Sequence, residues 1–122
     1  MVGEAGAETA FLVIQHSDRI KHYLPYLIKA ATEGGAKKVH AAMMIDRHLC
    51  FRTWGPFYFK PVQIFGTQFT RSAKTNKQTG QVAFGQTTYY PIADPVNLDA
   101  RRAFIGKSDF ETECKRFGVE YP

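Results

Sequence analysis

The apolar residues of this chain change period at Trp54-Gly55-Pro56, and that change constrains the fold more than any other feature. Upstream they recur at helical spacing. Ile20, Tyr23, Leu24, Leu27, Ile28 and Ala31 predict a helix stopped by Gly34-Gly35, with Pro25 delaying its true start because proline is at ease only in a first turn. Val39, Ala42, Met43, Leu49 and Cys50 form one stripe of a helix from 36 to about 50. A near-continuous apolar run from about Glu8 to His16 reads as a short buried helix. Downstream, aromatic and β-branched runs at 57–59, 61–69 and 81–90 read as strands, and the polar stretch from Ser72 to Gly80 as a long hairpin loop. Asp94-Pro95 turns the chain into a helix from about Asn97 to Ile105, stopped by Gly106. Ser108-Asp109-Phe110-Glu111 has capping-box spacing for a last helix ending at Gly118. The expected architecture is therefore α+β: a small, mostly helical single domain over 1–122 with an antiparallel β-hairpin.

A chain of 122 residues fits one compact domain with a real core and is too short for two ordinary domains. No apolar run approaches the roughly 18 residues of a membrane helix, and Glu4 and Glu8 precede the first apolar stretch, unlike a secretory signal. The expectation is a cytoplasmic protein with no membrane association. Between Ala36 and Lys77 eight Lys and Arg residues face only Asp46, a net charge of +7, while the rest of the chain is slightly acidic. Such a one-sided field favours an anionic small molecule, RNA or an acidic protein surface, or else is a solvated face that keeps the chain in solution. Cys50 and Cys114 have no CxxC spacing and read as buried free thiols.

Candidate chemistry gathers where polar clusters interrupt apolar segments. Gln15-His16-Ser17-Asp18 closes the run from Ala10 to Ile14, and Gly66-Thr67-Gln68-Phe69 follows Val62-Gln63-Ile64-Phe65. Asp46 falls inside the apolar stripe of its helix, where an unpaired carboxylate is costly. Leu98, Arg102 and Ile105 share a helix face, so Arg102 borders the core and is a natural partner for Asp46. These positions define a pocket around His16, Asp46 and Gln68. His16, Asp46, Arg47 and Gln68 are the candidate catalytic residues, and Gln15, Asp18, Thr67 and Arg102 the candidate ligand-binding ones. His16 would move the proton, Arg47 or Arg102 would stabilise developing negative charge, and Thr67 with Gln68 would orient a phosphorylated or nucleotide-like substrate. That set describes a metal-independent hydrolase or phosphodiesterase with no cofactor. The plainer alternative is a core histidine with both nitrogens satisfied and a buried Asp46–Arg102 salt bridge.

No metal site is expected, since His16 and Asp18 point about 200° apart on a helix and His40 and His48 lie two turns apart. Ser17 is in no nucleophile elbow, Cys50 has no local histidine partner, and there is no phosphate-binding glycine loop. Phe51, Trp54, Phe57, Tyr58 and Phe59 are interleaved with Arg52 and Lys60, a composition able to stack bases, although in a chain this small such residues are expected chiefly in the core and on the sheet surface.

Taken in order, Val2-Gly3-Glu4-Ala5-Gly6-Ala7, Gln15-His16-Ser17-Asp18, Asp46-Arg47, Gln63 to Phe69, Pro91-Ile92-Ala93-Asp94-Pro95, and Arg101-Arg102-Ala103 with Gly106 resemble the domain-of-unknown-function family 6624, found mostly in bacteria. The resemblance spans nearly the whole chain but implies no activity. It implies that relatives carry a further helix upstream of Val2-Gly3-Glu4. The stretch from Leu49 to Lys60 is longer than the family's link, and Phe65 stands where the family usually has tyrosine. Two function classes follow: an enzyme or binding domain for an anion around His16, and a non-enzymatic interaction module with a basic hairpin surface.

Overall fold

Helices α1 (Ile20–Thr32) and α2 (Lys38–Phe51) form one half of the computed structural model, which describes residues 19–54 and 56–121 together with Gly6, Thr9 and Phe11. They meet through small side chains, Ala31, Ala36 and Ala41, with Leu27 and Ala30 alongside. Gly34, at φ 83°, ends α1: its N–H and that of Gly35 return to the carbonyls of Ala31 and Ala30, the paired closure that only a left-handed residue permits cheaply. Pro25 does not delay the start of α1 but lies inside it. The helix forgoes the bond Pro25 would have made to Lys21, because its apolar stripe gains more from packing than one hydrogen bond supplies. Gly6, Thr9 and Phe11 have helical backbone, and Phe11 packs with Ile20 and Met44. The rest of the expected helix from Glu8 to His16 lies outside the described residues.

The middle of the chain departs most from expectation. A short hairpin pairs β1 (Thr53–Trp54) with β2 (Phe57–Tyr58). Residues 61–68 do not form a strand: only Gln63 makes a ladder contact, a parallel bridge to Ile92. Their amides are drawn off by a side chain of α2, described below. Strand β3 (Phe69–Thr75) then pairs antiparallel with β4 (Val82–Tyr89), so the segment read as a loop from Ser72 to Gly80 is strand as far as Thr75 and the connection is confined to residues 76–81. Asn76 closes that turn, its side-chain oxygen accepting from the N–H groups of Gln78 and Thr79. Every residue from Arg71 to Gln86 is exposed, so both faces of the ribbon meet solvent.

A turn of 3-10 helix (Pro95–Asn97) leads into α3 (Leu98–Phe104), and α4 (Phe110–Arg116) completes the chain. Helix α4 begins later than the capping-box reading: Asp109, not Ser108, is the cap and accepts from the Thr112 N–H. The Ser108 carbonyl is instead bonded to Arg102. Leu98, Phe110, Cys114 and Val119 form a second core, on which the hairpin root rests through Phe69 and Tyr89. Cys50 and Cys114 are free and buried, as expected. The fold is thus a small α+β arrangement in which segment 61–68 lies between the α1/α2 pair and the α3/α4 core.

Candidate functional site

The Asp46 carboxylate, fully buried on α2, accepts from three backbone amides and a hydroxyl of the irregular segment. Its Oδ1 takes the N–H groups of Ile64 at 2.7 Å and Phe65 at 3.1 Å; its Oδ2 takes the N–H and Oγ1–H of Thr67 at 3.1 and 2.8 Å and shares Phe65 at 3.2 Å. One anion therefore replaces the ladder these amides would need in a strand, which is why 61–68 can bend. Gly66 stands at the bend with φ 65°, and a Cβ there would lie 2.8 Å from the Phe110 ring, so only glycine fits.

The carbonyls of the same segment are held from the other side by consecutive arginines of α3. Arg101 donates Nε to Ile64 O at 2.8 Å and Nη2 to Ala93 O at 2.6 Å. Arg102, also fully buried, donates Nη1 to the carbonyls of Phe65 and Gly66, both at 2.9 Å, and Nε to Ser108 O at 2.6 Å. Its charge is balanced not by Asp46 but by buried Glu113 of α4, with Nη2 3.4 Å from Oε2. Burial lowers the Arg102 pKa, and Glu113 is the largest opposing influence. Lys107 and Arg116 also reach Glu113, at 3.2 and 3.3 Å. The expected Asp46–Arg102 salt bridge is thus corrected: the two residues grip one backbone from opposite sides, the acid on its donors and the base on its acceptors.

Gln63 closes the arrangement. Its amide accepts from Gln68 N–H at 2.9 Å and donates to the carbonyls of Gln68 and Tyr90, each at 3.0 Å, while its own backbone bonds Pro91 O and Ala93 N–H. It therefore stands at the hairpin root, between the residue preceding β3 and the one following β4.

Of the sequence-derived candidates, the structure brings Asp46, Thr67, Gln68 and Arg102 into this one network. Gln68 Nε2 turns to Thr67 Oγ1 at 3.3 Å and Met43 O at 3.5 Å. The polar atoms of these four side chains are directed at protein partners, and neither of two described cavities is lined by them; the expected pocket around His16 falls outside the described residues. Arg47, one residue along α2 from Asp46, lies outside the network, its guanidinium 5.3 Å from the centre of the Phe51 ring. Gln15, His16 and Asp18 lie outside the described residues. His40 stacks on Phe11 at 4.2 Å, and the pKa of His48 is lowered by burial and then by Arg52 and Lys21. Burial, reinforced by Asp46, pushes the Cys50 thiol up to about 12, so it is no nucleophile near neutrality.

Gln63, Arg101 and Glu113 were missed. A signal for Glu113 exists: Phe110, Glu113, Cys114 and Phe117 follow helical spacing, with an acid in an apolar stripe as at Asp46.

A second constellation lies on the surface. Phe51, Phe57, Tyr58 and Phe59 are exposed, Tyr58 at 85%; Phe57 and Tyr58 lie on a sheet surface, one of the expected settings, and none of the four is in the core. The β1–β2 hairpin is too short to cover them. Arg52 lies 5.0 Å from the centre of the Phe59 ring, and on the long hairpin Arg71 lies 4.1 Å from that of Phe84, itself 58% exposed. Phe51, the last residue of α2, meets Tyr90, just beyond β4, edge to face at 5.5 Å, which ties the end of that helix to the root of the long hairpin. From Arg47 through Ala93 the sequence contains no Asp or Glu. The geometry thus separates a buried hydrogen-bonded framework from exposed aromatic and cationic residues on the two hairpins, and comparison with protein-family models, with curated proteins and with solved structures returns no match.

Proposed function

We propose that this protein is a non-enzymatic module that binds single-stranded nucleic acid through the exposed aromatic and cationic residues of its two hairpins. The observation that carries this reading is the exposure of Phe57, Tyr58, Phe59 and Phe84, all in a stretch of sequence without an acid, with guanidinium groups against two of those rings. Aromatic platforms offer stacking to any base, and neighbouring cations follow the phosphates without demanding a sequence. The long ribbon adds Lys74 and Lys77 beside hydroxyl and amide side chains. The hydrolase reading is less well supported, because Asp46, Thr67, Gln68 and Arg102 are committed to the backbone and to each other.

Fluorescence polarisation with an unstructured labelled oligonucleotide tests the proposal. For single strands the salt slope is about −0.7 per phosphate neutralised, so engagement of Arg71, Lys74 and Lys77 gives roughly −2, and addition of Arg47, Arg52 and Lys60 roughly −4. Phe57→Ala with Tyr58→Ala should weaken binding by about 1–3 kcal/mol per base released. Tighter binding to polyglutamate than to the oligonucleotide would overturn the proposal in favour of an acidic protein partner.

A further inference from the structure

A cavity of about 300 Å³ lies on the opposite side of α2 from Phe11, where the α1/α2 pair meets α3 and Phe65 of the bent segment. Its walls are apolar: Ile28, Ala31, Ala42, Ile45, Phe65 and Ile105. The space exists because α1 and α2 meet through alanines; larger side chains at Ala31, Ala41 and Ala42 would fill it. Phe65 is held in the wall by its backbone bonds to Asp46 and Arg102, so that side of the cavity is preformed. Among the described lining residues two, Thr32 and Lys38, carry polar side chains. The Thr32 hydroxyl donates to Ile28 O, and Lys38 sits at the rim with its ammonium 4.4 Å from the centre of the exposed Phe104 ring. Among the described residues no acid lines the cavity.

We propose that this cavity binds a medium-chain aliphatic monocarboxylate, its chain among the isoleucines and alanines and its carboxylate on Lys38. The volume is at the lower end for small-molecule sites and holds about ten water-sized groups, which suits a chain of roughly eight to ten carbons. A single rim cation matches a single negative charge, and an apolar interior has no partner for a second polar group. The nucleotides proposed for the hairpin face do not suit it.

The test uses the whole chain labelled with ¹³C at isoleucine methyls and titrated with decanoate and, separately, with decan-1-ol. Decanoate should shift the methyl signals of Ile28, Ile45 and Ile105 saturably while leaving Ile64 and Ile92 in place. Lys38→Met should weaken decanoate binding about tenfold and leave that of decan-1-ol within twofold. Ala42→Leu should abolish both, and the spectrum of its other isoleucines reports whether that variant is folded. Absence of shifts at millimolar decanoate, equal affinity of acid and alcohol, or a concentration-dependent dimer that already covers these methyls would each overturn the proposal.

Discussion

Replacing Asp46 tests the framework most directly, because a single carboxylate satisfies three backbone N–H groups and one hydroxyl in a site without solvent exposure. In Asp46→Asn the remaining oxygen can keep Ile64 and Phe65, but the new amide N–H₂ confronts the Thr67 N–H, donor against donor. A buried orphan donor costs about 1–3 kcal/mol, and the surviving bonds fall from charge-assisted to neutral strength, for a total of roughly 2–4 kcal/mol. Asp46→Ala orphans all three amides and should cost about 4 kcal/mol or more. Typical domains have only about 5–15 kcal/mol in all, so the alanine variant would be marginal at best. Urea unfolding followed by circular dichroism gives the energies, and amide exchange localises them: Ile64, Phe65 and Thr67 should lose protection before the hairpin amides do. Thr67→Val, which removes only the hydroxyl, should cost about 1.5–3 kcal/mol, and its effect should largely vanish in the Asp46→Ala background. If Asp46→Asn unfolds within 0.5 kcal/mol of the wild type with unchanged exchange at these amides, the account of the bent segment is wrong.

Arg102→Leu should destabilise by about 3–5 kcal/mol, since it orphans three carbonyls and removes a cation from buried Glu113; thermal or urea unfolding measures it. Gly66→Ala combines a left-handed residue with a Cβ 2.8 Å from the Phe110 ring and should cost about 2–4 kcal/mol by the same assay. His48 has a lowered pKa in the folded chain, so between that value and the unfolded 6.5 the unfolded state binds more protons. Its stabilisation is therefore complete above 6.5 and is lost as pH falls below it; the drop in urea midpoint between pH 7.5 and 5.5 should be smaller in His48→Gln.

The helical half was legible because burial on one side of a helix writes a 3.6-residue period into the sequence. The stops at Gly34, Gly106 and Gly118 were legible because left-handed closure needs glycine. Asp46 was recognised as anomalous from its place in an apolar stripe, but its partners were not. A buried carboxylate demands donors, and nothing in the pattern says whether they come from an arginine or from a bent backbone. The same ambiguity turned 61–68 into a strand: Val62, Ile64 and Phe65 have strand composition, whereas their geometry is imposed by a side chain from 18 residues upstream. The hairpin was underestimated for a different reason. A ribbon with both faces in solvent needs no alternation, so Ser72 to Thr75 carried no period to read. The aromatics were placed in the core or on the sheet surface: Phe57 and Tyr58 do lie exposed on a strand, while the exposure of Phe51 and Phe59 was not legible because size and hydrophobicity report a preference, not a location.

The amide of Gln63 has a consequence for how this protein can change over generations. By bonding the residues that flank β3 and β4, it fixes the two ends of the intervening chain whatever lies between them. Insertions or deletions at the tip then alter only a loop whose closure costs about 0.6 kcal/mol per doubling of length. The ribbon can diversify in reach and chemistry while the framework beneath it tolerates almost no substitution, and the border between the two regimes is a single glutamine.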